Sequence, residues 1–312
     1  MGKILLFLIW LVGIAVILGT AAVLARRARA GPAAAGSSRF RIPPRATAAG
    51  PAEPVAQTIA WFLVFVLAGV AVVFAIMALL GLIVVHAGPP LDRPVWHWVG
   101  GHQLHLWARE MKNLTKIGDT YTTRAAAVTA AVCLAVSWRR MRWLPPVALG
   151  TLIVVHRVLT HAIHLVVTRV GPPGFPHGTF PSGGSERCIV FYGLIGYLIW
   201  REFSGRRPAA IWAGAVVACL AFNEGYSRLY LGMHWTTDVL SGWLYGGLLL
   251  AVFIAAVRWV AGPARIPATA VTAPTVATEP SPELTARHDP LPAAGEPAAT
   301  GQGTARAWKD QQ

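Results

Sequence analysis

The chain has 312 residues, 55% of them hydrophobic and only 13% charged, with a net charge of +14. That is too apolar for a water-soluble globular chain of this length. The arginines sit in short blocks at the ends of apolar runs, which is the pattern of membrane topology and argues against nucleic-acid binding.

Several runs reach the roughly 20 residues that carry a helix across about 30 Å of hydrocarbon, and none alternates with period two, so the spans read as helices. The first, Ile4 to Leu24, is closed by Arg26, Arg27 and Arg29. With only Lys3 ahead of it and strong positive charge behind, it is expected to be a retained N-terminal transmembrane helix (1–25) and not a signal peptide. Residues 26–57 are rich in Pro, Ala, Gly and Arg and read as a flexible basic linker. A second span covers Thr58 to His86. Ala87 to Asp119 then mixes Trp96, Trp98 and Trp107 with charges, as interfacial segments do. Further spans are expected at Tyr121–Val136, Val147–Thr168, Cys188–Trp200, Ala209–Tyr226 and Trp235–Val260. The expected fold class is therefore all-α, a polytopic membrane helix bundle. It has a six-helix core over 58–260, one N-terminal helix, and a disordered Pro/Ala/Thr-rich tail over 261–312.

Arginine is dense in the 26–45 linker, the Arg139–Arg142 turn and the Arg201–Arg207 turn. Placed in the cytoplasm by the positive-inside rule, these leave the loops Arg169–Arg187 and Ser227–His234 together on the extracytoplasmic side of the plasma (inner) membrane. Cys133, Cys188 and Cys219 fall in or at apolar spans without metal-like spacing, so neither a disulfide framework nor a zinc site is expected. His97, His102 and His105 stand among tryptophans, a setting that favours an interface over a metal site.

The two loops carry the residues suited to chemistry. His234 and Asp238 are four apart, so on a helix beginning near His234 they share a face, and the carboxylate is expected to fix the imidazole tautomer. Arg228, just upstream, offers a planar fork of donors for phosphate oxygens. The plain alternative is an interfacial arginine that snorkels beside a chance His/Asp pair at a helix start.

This stretch, Ser227-Arg228 followed by His234 and Asp238, resembles the third signature of the type-2 phosphatidic acid phosphatase and vanadium haloperoxidase superfamily, S-R-x5-H-x3-D. It matches at every signature position. The resemblance implies a lipid phosphatase-like core, His234 as a nucleophile that forms a phosphohistidine, Asp238 as its orienting partner and Arg228 as a phosphate ligand, with no metal and no cofactor. The second signature, P-S-G-H, stands here as Pro181-Ser182-Gly183-Gly184. Ser182 and the Gly183 backbone are retained as a phosphate cradle, whereas Gly184 takes the place of the histidine that protonates the leaving group. The first signature, K-x6-R-P, aligns to His164 through Pro172, with His164 at the lysine and Gly171 at the arginine. Arg169 is then a candidate displaced cation. Thr115 to Asp119 also looks like a family segment preceding the core.

Two further groups stand out. Arg157, His161 and His164 recur on one helical face. They are either phosphate or headgroup ligands replacing the lost lysine, or part of an interhelical polar network with Glu224. Glu186 and Arg187 are candidates for a substitute acid and a phosphate-binding cation, against a solvated helix start. The expected partners are the membrane and a lipid phosphate or diphosphate, with no nucleic acid. The expected reaction is phosphate removal, and the rival readings are a lipid-phosphate-binding scaffold and a lipid phosphotransferase. Oligomeric state is not legible.

Overall fold

Long apolar runs bounded by proline and arginine fold as helices, because only internal backbone hydrogen bonding is tolerated in hydrocarbon. The computed structural model describes residues 2–30, 55–138, 141–175, 178–204 and 206–262. Its helices are α1 (Gly2–Ala30), α2 (Val55–Ala87), α3 (Pro89–Gly101), α4 (His105–Leu114), α5 (Thr120–Ser137), α6 (Leu144–Val166), α7 (Gly183–Phe203), α8 (Arg207–Tyr230) and α9 (Thr236–Ala261), with a 3-10 turn at Thr115–Gly118. Every expected span is a helix, extended by a few residues at one or both ends. Proline opens α3, α6 and α8 within their first turns, where its missing N–H removes no helical bond. Five helices (α1, α2, α6, α8 and α9) are long and apolar enough to cross a membrane. Most of the expected linker and tail lies outside the described residues.

The main core joins α2, α6, α7 and α9 through Phe62, Met77, Leu149, Leu152, Leu194, Leu249 and Phe253. Helices α7 and α9 approach closely because Gly242 and Gly246 lie on the shared face. A β-carbon at Gly242 would come 2.7 Å from the Ser182 carbonyl oxygen, and one at Gly246 would come 2.7 Å from that of Glu186. Such small-xxx-small faces let membrane helices pack backbone to backbone. The α7–α9 contact matters for function, since it sets the N-terminus of α7 beside the start of α9. Helix α1 packs along α8, where the Trp10 indole donates to Asn223 Oδ1 at 3.1 Å and the Tyr226 hydroxyl donates to the Leu6 carbonyl at 2.7 Å.

The starts of α5, α7 and α9 and the ends of α6 and α8 gather at one end of the bundle. Arg142, Arg201, Arg206, Arg207 and Arg258 lie toward the opposite ends of the same helices. The motif loops and the arginine-rich turns are thus segregated.

Candidate active site

The site is assembled from three segments: loop 178–182 leading into α7, the end of α8, and the turn 231–235 leading into α9. The Ser182 N–H donates to the Asp238 carbonyl at 3.0 Å, which ties the second-signature segment to the third. His234 is partly buried, and its Nδ1 lies 3.0 Å from the Thr179 carbonyl oxygen. A carbonyl only accepts, so Nδ1 carries the proton and Nε2 keeps its lone pair. That is the tautomer a nucleophilic imidazole requires.

The expected role of Asp238 needs correction. Its carboxylate is 3.9 Å from His234 Nδ1, beyond hydrogen-bond reach. Helix α9 begins at Thr236, so His234 precedes the helix and the two residues do not share a helical face. Asp238 instead caps the helix start, accepting from the Trp235 N–H at 3.1 Å, and pairs with Arg169 Nη1. Arg169 is corrected with it. Both of its terminal nitrogens are taken, Nη1 by Asp238 and Thr237 and Nη2 by Asp92, so it is buried as a structural cation and not presented to a phosphate. Asp92 also accepts from the Thr237 N–H at 2.9 Å and its hydroxyl at 2.7 Å. This buried network pins α3, the 167–170 segment and the head of α9 together. Gly171 offers no room for the signature arginine, since a β-carbon there would overlap the Phe175 carbonyl oxygen.

Arg228 and Arg187 meet around the first residues of α7. A β-carbon at Gly184 would lie 3.0 Å from Arg228 Nε and Nη2, and one at Gly183 would lie 2.8 Å from Arg187 Nη1. The 3-10 turn positions both arginines. Arg187 Nε donates to the Gly118 carbonyl at 2.7 Å, and Arg228 Nη2 donates to Asp119 Oδ1 at 3.3 Å. Arg228 Nε also donates to Glu224 Oε1 at 2.7 Å, and Glu224 is held in turn by the Thr115 hydroxyl at 3.0 Å and the Gly118 N–H at 3.3 Å. The Arg187 terminal nitrogens and the Gly183 and Gly184 N–H groups thus converge where a helix dipole favours an anion. Ser182 belongs to the cradle but is fully buried, its hydroxyl 3.0 Å from that of Ser185.

The remaining candidates separate from this cluster. Glu186 is fully buried and faces α6, with Oε1 2.7 Å from His156 Nε2, so it is not a substitute acid at the cradle. Glu186 thereby joins α7 to α6 through His156 and Thr160, whereas Glu224 pairs with Arg228 and not with the α6 stripe. His164 lines a different cavity, with Arg124, Arg157 and His161. Thr179, Asp92 and Thr237 are not singled out by the sequence, whereas Asp119 closes the family-like Thr115–Asp119 segment. Thr179 acts through its carbonyl, for which no side-chain signal exists, while Asp92 stood in a segment read only as interfacial.

Described residues that fold into helices, five of them long and apolar enough to cross a membrane, with two motif loops at one end, define a multi-pass membrane protein. Residues 62–261 match the PAP2 superfamily, and the chain belongs to that family. A protein of Escherichia coli K12 named provisionally as an undecaprenyl-diphosphatase is 30% identical over 83 residues, covering 27% of this chain and 36% of that protein. Phosphatidylglycerophosphatase B of Bacillus subtilis 168 is 31% identical over 100 residues, covering 30% of this chain and 48% of its own length. The aligned stretch is therefore less than half of either relative. The crystal structure of a transmembrane PAP2-type phosphatidylglycerolphosphate phosphatase from Bacillus subtilis aligns with 60% of this chain and 94% of its own at 25% identity, with a TM-score of 0.48.

Proposed function

We propose that the protein removes phosphate from a membrane lipid phosphate or diphosphate, of the polyprenyl diphosphate or phosphatidic acid type, through a phosphohistidine on His234. The observation that carries this reading is the His234–Thr179 contact, which frees Nε2, together with a phosphate-type cradle of Arg187, Arg228 and the α7 N-terminus that the Ser182–Asp238 backbone bond ties to the segment following His234. Family membership and the phosphatase names of both relatives support it.

In this reaction Nε2 attacks phosphorus as the bond to the leaving oxygen breaks, and the arginines and backbone N–H groups stabilise the charge on the transferring group. Water then cleaves the N–P bond, releasing inorganic phosphate and the free imidazole. Because residue 184 is glycine, the leaving oxygen must leave unprotonated or take its proton from water. A diphosphate substrate meets that demand better than a monoester, since a phosphate leaving group needs less protonation than an alkoxide. By the arginine distribution, the site faces away from the cytoplasm at the plasma (inner) membrane. Assay of purified protein against a polyprenyl diphosphate, phosphatidic acid and diacylglycerol diphosphate tests the reading, with the polyprenyl or diacylglycerol diphosphate expected to turn over fastest. Absence of turnover on all three contradicts it.

One observation favours a second reading. Glu224 fills the space where a side chain at residue 184 would begin and engages Arg228, an arrangement that also suits a chain that binds a lipid phosphate without turning it over.

A further inference from the structure

We infer that a groove between α5 and α6, separate from the His234 cradle, binds the anionic phosphate headgroup of a membrane lipid. The groove is a cavity of about 440 Å³ whose lining includes Arg124 from the first turns of α5 and Arg157, His161 and His164 from α6. Arg157, His161 and His164 follow at i, i+4 and i+7, so one stripe of α6 carries all three.

Arg157 lies nine residues from the end of α6, about 13 Å at 1.5 Å per residue, which places it inside one leaflet of the hydrocarbon. Arg157 and His161 are nevertheless exposed on the helix surface. An arginine facing lipid at that depth is costly unless it is paired or reaches the interface. Among the described residues no carboxylate lies within salt-bridge distance of Arg124 or Arg157. The acid behind the groove, Glu186, is bonded to His156 through Oε1. Counting Arg124 and Arg157 against Glu186, the cluster is positive by at least one charge even with every imidazole neutral. His164 lines the cavity, and its buried Nε2 has no hydrogen-bond partner.

Two guanidinium forks, an unsatisfied imidazole and an outward opening at leaflet depth suit a ligand that brings its own acyl chains and presents a phosphate. Choline-bearing headgroups offset their phosphate with a cation and fit such a site less well. The groove adjoins α7, since His156, which also lines it, bonds Glu186 of that helix at 2.7 Å. The inference stands independently of the hydrolytic mechanism.

The test uses phosphatidylglycerol, a phosphodiester lacking the terminal phosphate that His234 would take. The full-length protein, in micelles containing phosphatidylcholine, is titrated with phosphatidylglycerol and retained lipid is counted by native mass spectrometry. One phosphatidylglycerol is expected to be retained in preference to phosphatidylcholine, with affinity falling about tenfold in Arg124→Gln/Arg157→Gln and unchanged in Arg228→Ala. Arg157→Lys, which keeps the charge, is expected to retain the lipid, and equal thermal unfolding of the Arg124 and Arg157 variants and wild type controls for folding. Retention undiminished in the double glutamine variant, or equal retention of phosphatidylcholine, overturns the site. Displacement of the lipid by millimolar inorganic phosphate overturns the lipid assignment.

Discussion

The Glu224 carboxylate occupies the space into which a side chain at Gly184 would grow, so that a β-carbon there would overlap Oε1. Residue 184 is where the related signature places its proton-donating histidine, and Glu224 reaches it from α8 while also holding Arg228 Nε. The two positions are therefore coupled. Gly184 does not adopt a positive φ, so sterics with Glu224 and not backbone strain oppose a larger residue.

It follows that restoring the histidine alone does not restore the chemistry. Gly184→His is expected to lower thermal stability and leave monoester hydrolysis no better than wild type. Gly184→His/Glu224→Ala removes the overlap, at the cost of the Arg228 partner, and per folded protein is expected to raise monoester hydrolysis more than diphosphate hydrolysis, by up to about 10²-fold, since a positioned acid contributes on the order of 10²–10⁴. Comparison of the two substrates in both variants measures this. A gain in the single variant equal to that in the double would show that Glu224 does not obstruct residue 184.

Asp238 and Arg169 form a buried ion pair within a network that includes Asp92 and Thr237. Removing one partner strands the others. Asp238→Asn and Arg169→Met are each expected to destabilise the protein by about 3–5 kcal/mol, the range for breaking a buried pair, with activity lost in proportion to folded protein. Thermal unfolding in detergent checks this. Had Asp238 served chiefly to orient His234, Asp238→Asn would lower the turnover number while leaving the melting temperature near wild type.

Much of this architecture was legible in the chain because apolar length and arginine placement are local signals. The spans at 58–86 and 235–260 needed nothing beyond hydropathy. The S-R-x5-H-x3-D stretch likewise picked out Arg228 and His234 without tertiary information. What sequence could not reach were partners brought from a distance. The four-residue spacing of His234 and Asp238 suggested a direct bond, but the helix starts two residues after His234, and a carbonyl 55 residues upstream takes its Nδ1. Arg169 looked available for phosphate because its two acids, Asp92 and Asp238, lie 77 and 69 residues away. Glu186 sat one turn into a promising helix, yet α7 turns it toward His156.

Sidedness is a separate matter from chemistry and can be read directly. A cysteine at Phe175, beside the motif loops, is expected to react with an impermeant maleimide in intact cells, while one at Ser204, in the arginine-rich turn, reacts only after permeabilisation. Phe175 is preferred to Gly174, whose φ of 92° disfavours a side chain. The background for both is the chain with Cys133, Cys188 and Cys219 replaced. The opposite labelling pattern would invert the proposed orientation.

His234 is the proposed phosphoryl acceptor, and trapping the intermediate tests that role directly. Purified protein mixed with a lipid diphosphate radiolabelled in its terminal phosphate, then quenched rapidly in base, is expected to carry label that is stable to alkali, labile to acid and located by peptide mapping at His234. His234→Ala should carry none and should not turn over, although it still binds the lipid through Arg187 and Arg228. Hydrolysis persisting at the wild-type rate in His234→Ala, or label mapped to another residue, would contradict the phosphohistidine mechanism.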